Sequence, residues 1–162
     1  MDHAKSWTQT CVVAWRTEIA FTHGDYNILK STHEEADTKI ILHALNVRDR
    51  GAIELLVISQ DTDVMVLMVR RYPKLPSRPF FVPRSGEYIS IRSIYQSLGE
   101  LKSSALSGFH AFSGCDTTEC LNGKGKLSYW KAFMAATDEQ LVAYTQLGKD
   151  PAITSDIVDK IE

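Results

Sequence analysis

The chain has no apolar run longer than Val64-Met65-Val66-Leu67-Met68-Val69, far short of the roughly 20 residues that cross a bilayer as a helix. No charged-then-apolar leader opens it, so no membrane partner is expected. Cysteine is sparse and odd in number, Cys11, Cys115 and Cys120, which fits free thiols in the nucleus or cytoplasm better than a disulfide framework. A large excess of one charge is also missing. With a formal net charge of -2, nucleic-acid binding must rest on local patches rather than on a generally basic surface. Internal repeats and low-complexity segments are absent, and 162 residues of ordinary apolar and charged content suit one soluble domain with a core.

Along the chain, Cys11 to Trp15 reads as a short buried strand, followed by a polar loop through His23 to Asn27 and a second short strand at Asn27-Ile28-Leu29. Glu34 to Val47 carries Ile40, Ile41, Ala44, Leu45 and Val47 at helical spacing and ends at Gly51. Glu54 to Ser59 is a near-continuous apolar run of the kind found in parallel strands buried on both faces. Val64 to Arg71 reads as a buried helix with Arg70 and Arg71 at its negative pole. Four of the five prolines fall between Pro73 and Pro83, and Phe80-Phe81-Val82 and Tyr88 to Ile91 flank Ser85-Gly86 as a hairpin at the sheet edge. Helices are expected over Ser93–Leu98, Ser103–Phe112, Leu127–Ala136 and Asp138–Leu147.

Strands alternating with helices predict an α/β domain with a mainly parallel sheet, whose ligands bind beyond the carboxyl ends of the strands. Both ends predict a chain cut from a longer one. Met1 to Trp7 carry no strand or motif, and a helix begun at Thr154-Ser155-Asp156 has barely started when Glu162 is reached. Residues 1–137 are expected to form a partial domain, with its motifs in 32–136, and 138–162 a truncated helical segment.

Acids cluster at the borders of the apolar segments, in Glu35-Ala36-Asp37, Asp61-Thr62-Asp63 and Gly114-Cys115-Asp116. Carboxylates contribute little to packing there. Convergent oxygen ligands from different elements are what Mg²⁺ or Mn²⁺ requires beside a phosphate, and paired carboxylates can bridge two ions about 3.5–4 Å apart. Each cluster also has a structural reading. Glu35 and Asp37 suit the positive pole of a helix, Thr62 or Asp63 is an ordinary N-cap, and Asp116 can close a local turn. Asp61 stands apart because it lies just beyond a strand end.

These residues resemble the flap-endonuclease-type 5′ nucleases and their PIN-like relatives. Glu35-Ala36-Asp37 is similar to the family's Glu-Ala-Glu signature, Gln60-Asp61-Thr62-Asp63 to its Glu-Asp-x-Asp, and Ser113-Gly114-Cys115-Asp116 to its Gly-x-Asp turn. Closer still, His33 to Thr38, Asp61 to Val64 and His110 to Thr118 resemble transposon-associated animal proteins with a PIN-like domain. The resemblance implies a Rossmann-like PIN-like nuclease core with a two-metal site of Mg²⁺ or Mn²⁺. Glu35, Asp37, Asp61, Asp63 and Asp116 would be ligands, with Asp61, Asp63 and Asp116 central to hydrolysis of DNA or RNA. It further implies that Gly123-Lys124-Gly125-Lys126 grips duplex phosphates. It also implies earlier aspartates from an upstream strand that nothing before Cys11 supplies, so the chain would hold the C-terminal two-thirds of the domain. An inactive descendant that binds nucleic acid or protein is the competing expectation.

Other signals are weaker. Lys124-Gly125-Lys126-Leu127 lacks the spacing and hydroxyl of a Walker loop. His110, Cys115 and Cys120 have no Cys-x-x-Cys pair and no fourth zinc ligand. Arg70, Arg71, Lys74, Arg78, Arg84 and Lys131 are either a phosphate groove beside the acids or solvated surface charge. Trp130 and Phe133 read as the core stripe of their helix.

Overall fold

The computed structural model describes residues 12–15, 18–21, 29, 36–113 and 126–147. It is a mixed α/β structure. Strand β1 (Val12–Trp15) pairs antiparallel with β2 (Glu18–Phe21) in a two-stranded sheet, so a strand stands where a polar loop was expected to begin. Of the strand expected at Asn27–Leu29, only Leu29, a buried residue, lies within the described residues.

Helix α1 (Ala36–Asp49) is followed by Gly51 at φ 86°, a left-handed conformation that costs glycine little and turns the chain into β3 (Glu54–Ile58). Helix α2 (Thr62–Arg71) buries Val64, Met68 and Val69, one stripe at helical spacing. A 3₁₀ turn at Tyr72–Lys74 leads to β4 (Arg78–Val82), which lies parallel to β3 from Glu54↔Arg78 to Ile58↔Val82. The first pair of that register carries an exposed ion pair, Arg78 Nη2 to Glu54 Oε2 at 2.9 Å. β5 (Ile89–Ser90) returns antiparallel through a turn containing Gly86 at φ 78°. Pro79 sits buried inside β4 at a position β5 does not reach, so its missing N–H deprives that side of no ladder bond.

The sheet is therefore mixed, with order β3-β4-β5, rather than mainly parallel. The reason is local: the loop after β4 is too short for the crossover that a parallel neighbour needs. β3 is an edge among the described strands. Leu56 and Ile58 are 44% and 79% exposed, which corrects the expectation of a strand buried on both faces.

Helix α3 (Ile91–Phe112) breaks at Gly99, φ 78°, between the two helices expected on either side of it. α4 (Lys126–Ala135) and α5 (Asp138–Gln146) follow, α5 starting with a reciprocal cap between Thr137 and Gln140. Phe109 stacks on Phe133 at 4.4 Å between ring centres and meets Trp130 and Tyr144 edge-on. Phe133 is buried while Trp130 is partly exposed. Gly108 lets α3 and α5 touch: a Cβ there would fall 2.8 Å from the Tyr144 carbonyl carbon. Among the described residues no helix is long and apolar enough to cross a membrane.

Candidate functional site

Short connections decide what meets at the carboxyl end of β3. The loop from α1 to β3 is only residues 50–53, so β3 runs back along α1 and its end lies at the level where α1 begins. Ala36 and Ile58 accordingly line one groove of about 440 Å³. Because β4 is parallel to β3, it ends on the same side, where the Ser59 N–H donates to the Val82 carbonyl at 3.3 Å. β5 reverses, α3 starts at the far side, and its last turn returns to this one.

Asp61 terminates the turn after β3. Its backbone N–H donates to Ser59 Oγ at 3.1 Å, and its Oδ1 accepts the Asp63 N–H at 2.8 Å. It is the N-cap of α2, with extended backbone. The expectation that Thr62 or Asp63 would cap is thereby replaced. Asp63 lies in the first turn of α2 and faces across to α3, where His110 Nε2 sits 2.8 Å from Asp63 Oδ1 and donates when protonated there. Both side chains are only partly exposed. His110 also receives Ser113 Oγ on its carbonyl at 3.3 Å, which ties the pair to the residue that opens the Ser113-Gly114-Cys115-Asp116 motif.

The structure therefore joins the second acidic cluster to Ser113, the residue that precedes the third in the sequence. Asp37 stands on the first turn of α1, half-buried, at the same side of the sheet by the short-loop argument above. Glu35, Asp116, Cys115, Cys120, Gly123, Lys124 and Gly125 lie outside the described residues, and Lys126 is known as the first residue of α4. Among the described residues no three His, Cys, Asp or Glu side chains form a group able to hold a metal. Asp61 and Asp63 each keep a second carboxylate oxygen that accepts no hydrogen bond from the described residues. Hard oxygens left open in this way match the donor chemistry of Mg²⁺ or Mn²⁺.

A second groove, about 450 Å³, opens beside the Asp63–His110 pair between α2, α3 and α4. Thr62, His110 and Ser113 line it together with apolar Met65, Phe109 and Trp130, and its size is that of a small-ligand site. In the α1–β3 groove, partial burial pushes His43 below its ordinary value. Two features escaped the sequence. His110 was given no partner, because 47 residues separate it from Asp63; its place in the last turn of a helix before an acidic motif was the available signal. The cations Arg70, Arg71 and Lys74 were read as a phosphate groove beside the acids or as solvated surface charge, and what escaped was the cavity they line together with Ser104 and Thr145.

No family model matches this chain, and neither the curated proteins nor the solved structures contain a match. The resemblance of the three motifs is carried by their residues alone.

Proposed function

We propose that this chain carries a PIN-like, Rossmann-type nuclease core that hydrolyses phosphodiester bonds of DNA or RNA with Mg²⁺ or Mn²⁺. The observation that carries the reading is the arrival of α1's start, β3's end, α2's start and α3's end at one side of a parallel strand pair, each bearing or adjoining an acidic motif. Glu35, Asp37, Asp61, Asp63 and Asp116 would hold the ions. When bound, such ions polarise the scissile phosphate and lower the pKa of an attacking water.

The chain's own groups perform the positioning. Capping α2 fixes the Asp61 carboxylate, and the His110 ring fixes that of Asp63, leaving one oxygen of each directed by a rigid helix start. Gly123, Lys124, Gly125 and Lys126, the basic segment that leads in sequence into α4, would receive phosphates.

A second reading, an inactive descendant that binds nucleic acid or a protein, is favoured by the same two bonds, since Asp61 and Asp63 already have structural work as cap and as histidine partner. Cleavage of single-stranded and branched DNA and RNA separates the two. The nuclease reading expects turnover in Mg²⁺ or Mn²⁺ that Asp116→Asn abolishes while the circular dichroism spectrum is unchanged. Binding without turnover in either ion assigns the inactive role, and turnover that survives Asp116→Asn removes the assigned ligand set.

A further inference from the structure

At the far end of α2 from Asp61, three cations converge on one small cavity. Arg70 and Arg71 close α2, Lys74 ends the 3₁₀ turn, and with Pro73 they face Ser104 of α3 and Thr145 of α5 around about 190 Å³. Among the described residues no carboxylate lines the cavity and none forms an ion pair with any of the three cations.

This convergence opposes what electrostatics alone would build. Burial, and then the neighbouring Arg71, both disfavour the charged form of Arg70, yet a guanidinium stays protonated at any physiological pH. Arg70 is held in place by a 2.9 Å hydrogen bond from Nη1 to Ser107 Oγ, so it cannot relax outward freely. The negative poles of helices offset part of the repulsion. They do not account for two hydroxyls, from two further helices, lining the same space.

We infer that the Arg70–Arg71–Lys74 cavity is a binding site for a single phosphate group. Guanidinium forks match phosphate oxygens in pairs, a lysine adds a point charge, and the Ser104 and Thr145 hydroxyls are further hydrogen-bonding groups along its wall. The volume lies below the roughly 300 Å³ at which sites for whole small molecules begin, so it suits the phosphate and not a nucleoside attached to it. The source is either free phosphate or the terminal monoester of a nucleic acid whose chain lies outside.

The test is a titration of the 162-residue protein with inorganic phosphate, followed by melting temperature and by the arginine Nε–H signals in NMR, with chloride at matched ionic strength as control. Saturable effects specific to phosphate are expected. Arg71→Gln and Lys74→Gln should each weaken binding about tenfold, the scale of one charge-assisted hydrogen bond. Both positions are exposed, so the fold survives these changes. Asp61→Asn should leave phosphate binding untouched, which separates this site from the nuclease reading.

Competition by a 5′-phosphorylated oligonucleotide, and not by its 5′-hydroxyl counterpart, identifies a nucleic-acid end as the source. Binding of inorganic phosphate with no competition from either identifies free phosphate. Equal responses to chloride and phosphate, or affinity unchanged in the Arg71→Gln, Lys74→Gln double variant, would overturn the inference.

Discussion

Asp61 separates the two roles assigned to the carboxylates, because asparagine keeps one of them. Asp61 Oδ1 accepts the Asp63 N–H at 2.8 Å and caps α2. Removing that acceptor in Asp61→Ala costs about 1 kcal/mol, the typical value for a lost cap. For a domain of this size, that corresponds to a fall in Tm of about 2–4 °C. Asparagine presents the same oxygen and caps equally well, so Asp61→Asn loses only the favourable charge at the positive pole of α2. At an exposed position that effect is about 0.3 kcal/mol, or roughly 1 °C. As a ligand for a hard dication, the neutral amide is a poor replacement. The expected pattern is thus unequal melting and equal loss of phosphodiester cleavage, read by differential scanning fluorimetry and a fluorescent-oligonucleotide assay on the same preparations. Equal Tm losses in both variants would refute the cap. Cleavage that persists in Asp61→Asn while failing in Asp61→Ala would refute the ligand and leave stability as the whole explanation.

Two further outcomes test the frame that carries the site. Gly108→Ala drives a methyl group into the Tyr144 carbonyl oxygen and to within 2.8 Å of its carbon; backbone atoms cannot rotate away, so α3 and α5 must part. A loss of about 1–3 kcal/mol is expected in urea unfolding, and an unchanged midpoint would show that the two helices do not meet there. His43 tests the α1–β3 groove through pH. Its folded pKa lies below the ordinary 6.5 because of burial, so the unfolded chain takes up the proton first as pH falls. The stability that neutral His43 contributes is present above pH 6.5 and lost as pH drops through the folded value. His43→Gln should flatten the stability profile across that window, and an identical profile would place the ring in water.

Local pattern made most of the elements legible. Apolar spacing located α1, α2, α4 and α5, Ser85-Gly86 marked the β4–β5 hairpin, and the two helices read on either side of Gly99 are the two parts of α3. The environment of β3 was not legible. An apolar run such as Leu55-Leu56-Val57-Ile58 reports that a strand is present, while its two faces are decided by which strands come to lie beside it, and Leu56 and Ile58 remain exposed here. β2 was missed because Glu18-Ile19-Ala20-Phe21 is short and begins with an acid. The acids themselves were found by position, at the borders of apolar segments. Their partners were not, since a 2.8 Å contact between Asp63 and His110 depends on α3 returning across the sheet after 47 residues, a distance no periodicity spans.

Helix α2 now carries opposite charges at its two ends, Asp61 and Asp63 at the start, Arg70 and Arg71 at the close. The macrodipole alone favours that order, each charge contributing about 0.3–1 kcal/mol, so charge sign by itself says nothing about function at either end. Convergence is the informative quantity. A dipole stabilises a charge wherever it sits in the terminal turn and asks nothing of other elements. Here, His110 of α3 comes to Asp63 at one end, while Ser104 of α3 and Thr145 of α5 come to the three cations at the other. The two ends are about 15 Å apart along ten residues, too far for one to neutralise the other through water. On the two proposals above, each end would take its own counter-charge, a cation beside the carboxylates and an anion beside the arginines, and a substrate phosphate held at the second site would lie beyond direct reach of the first.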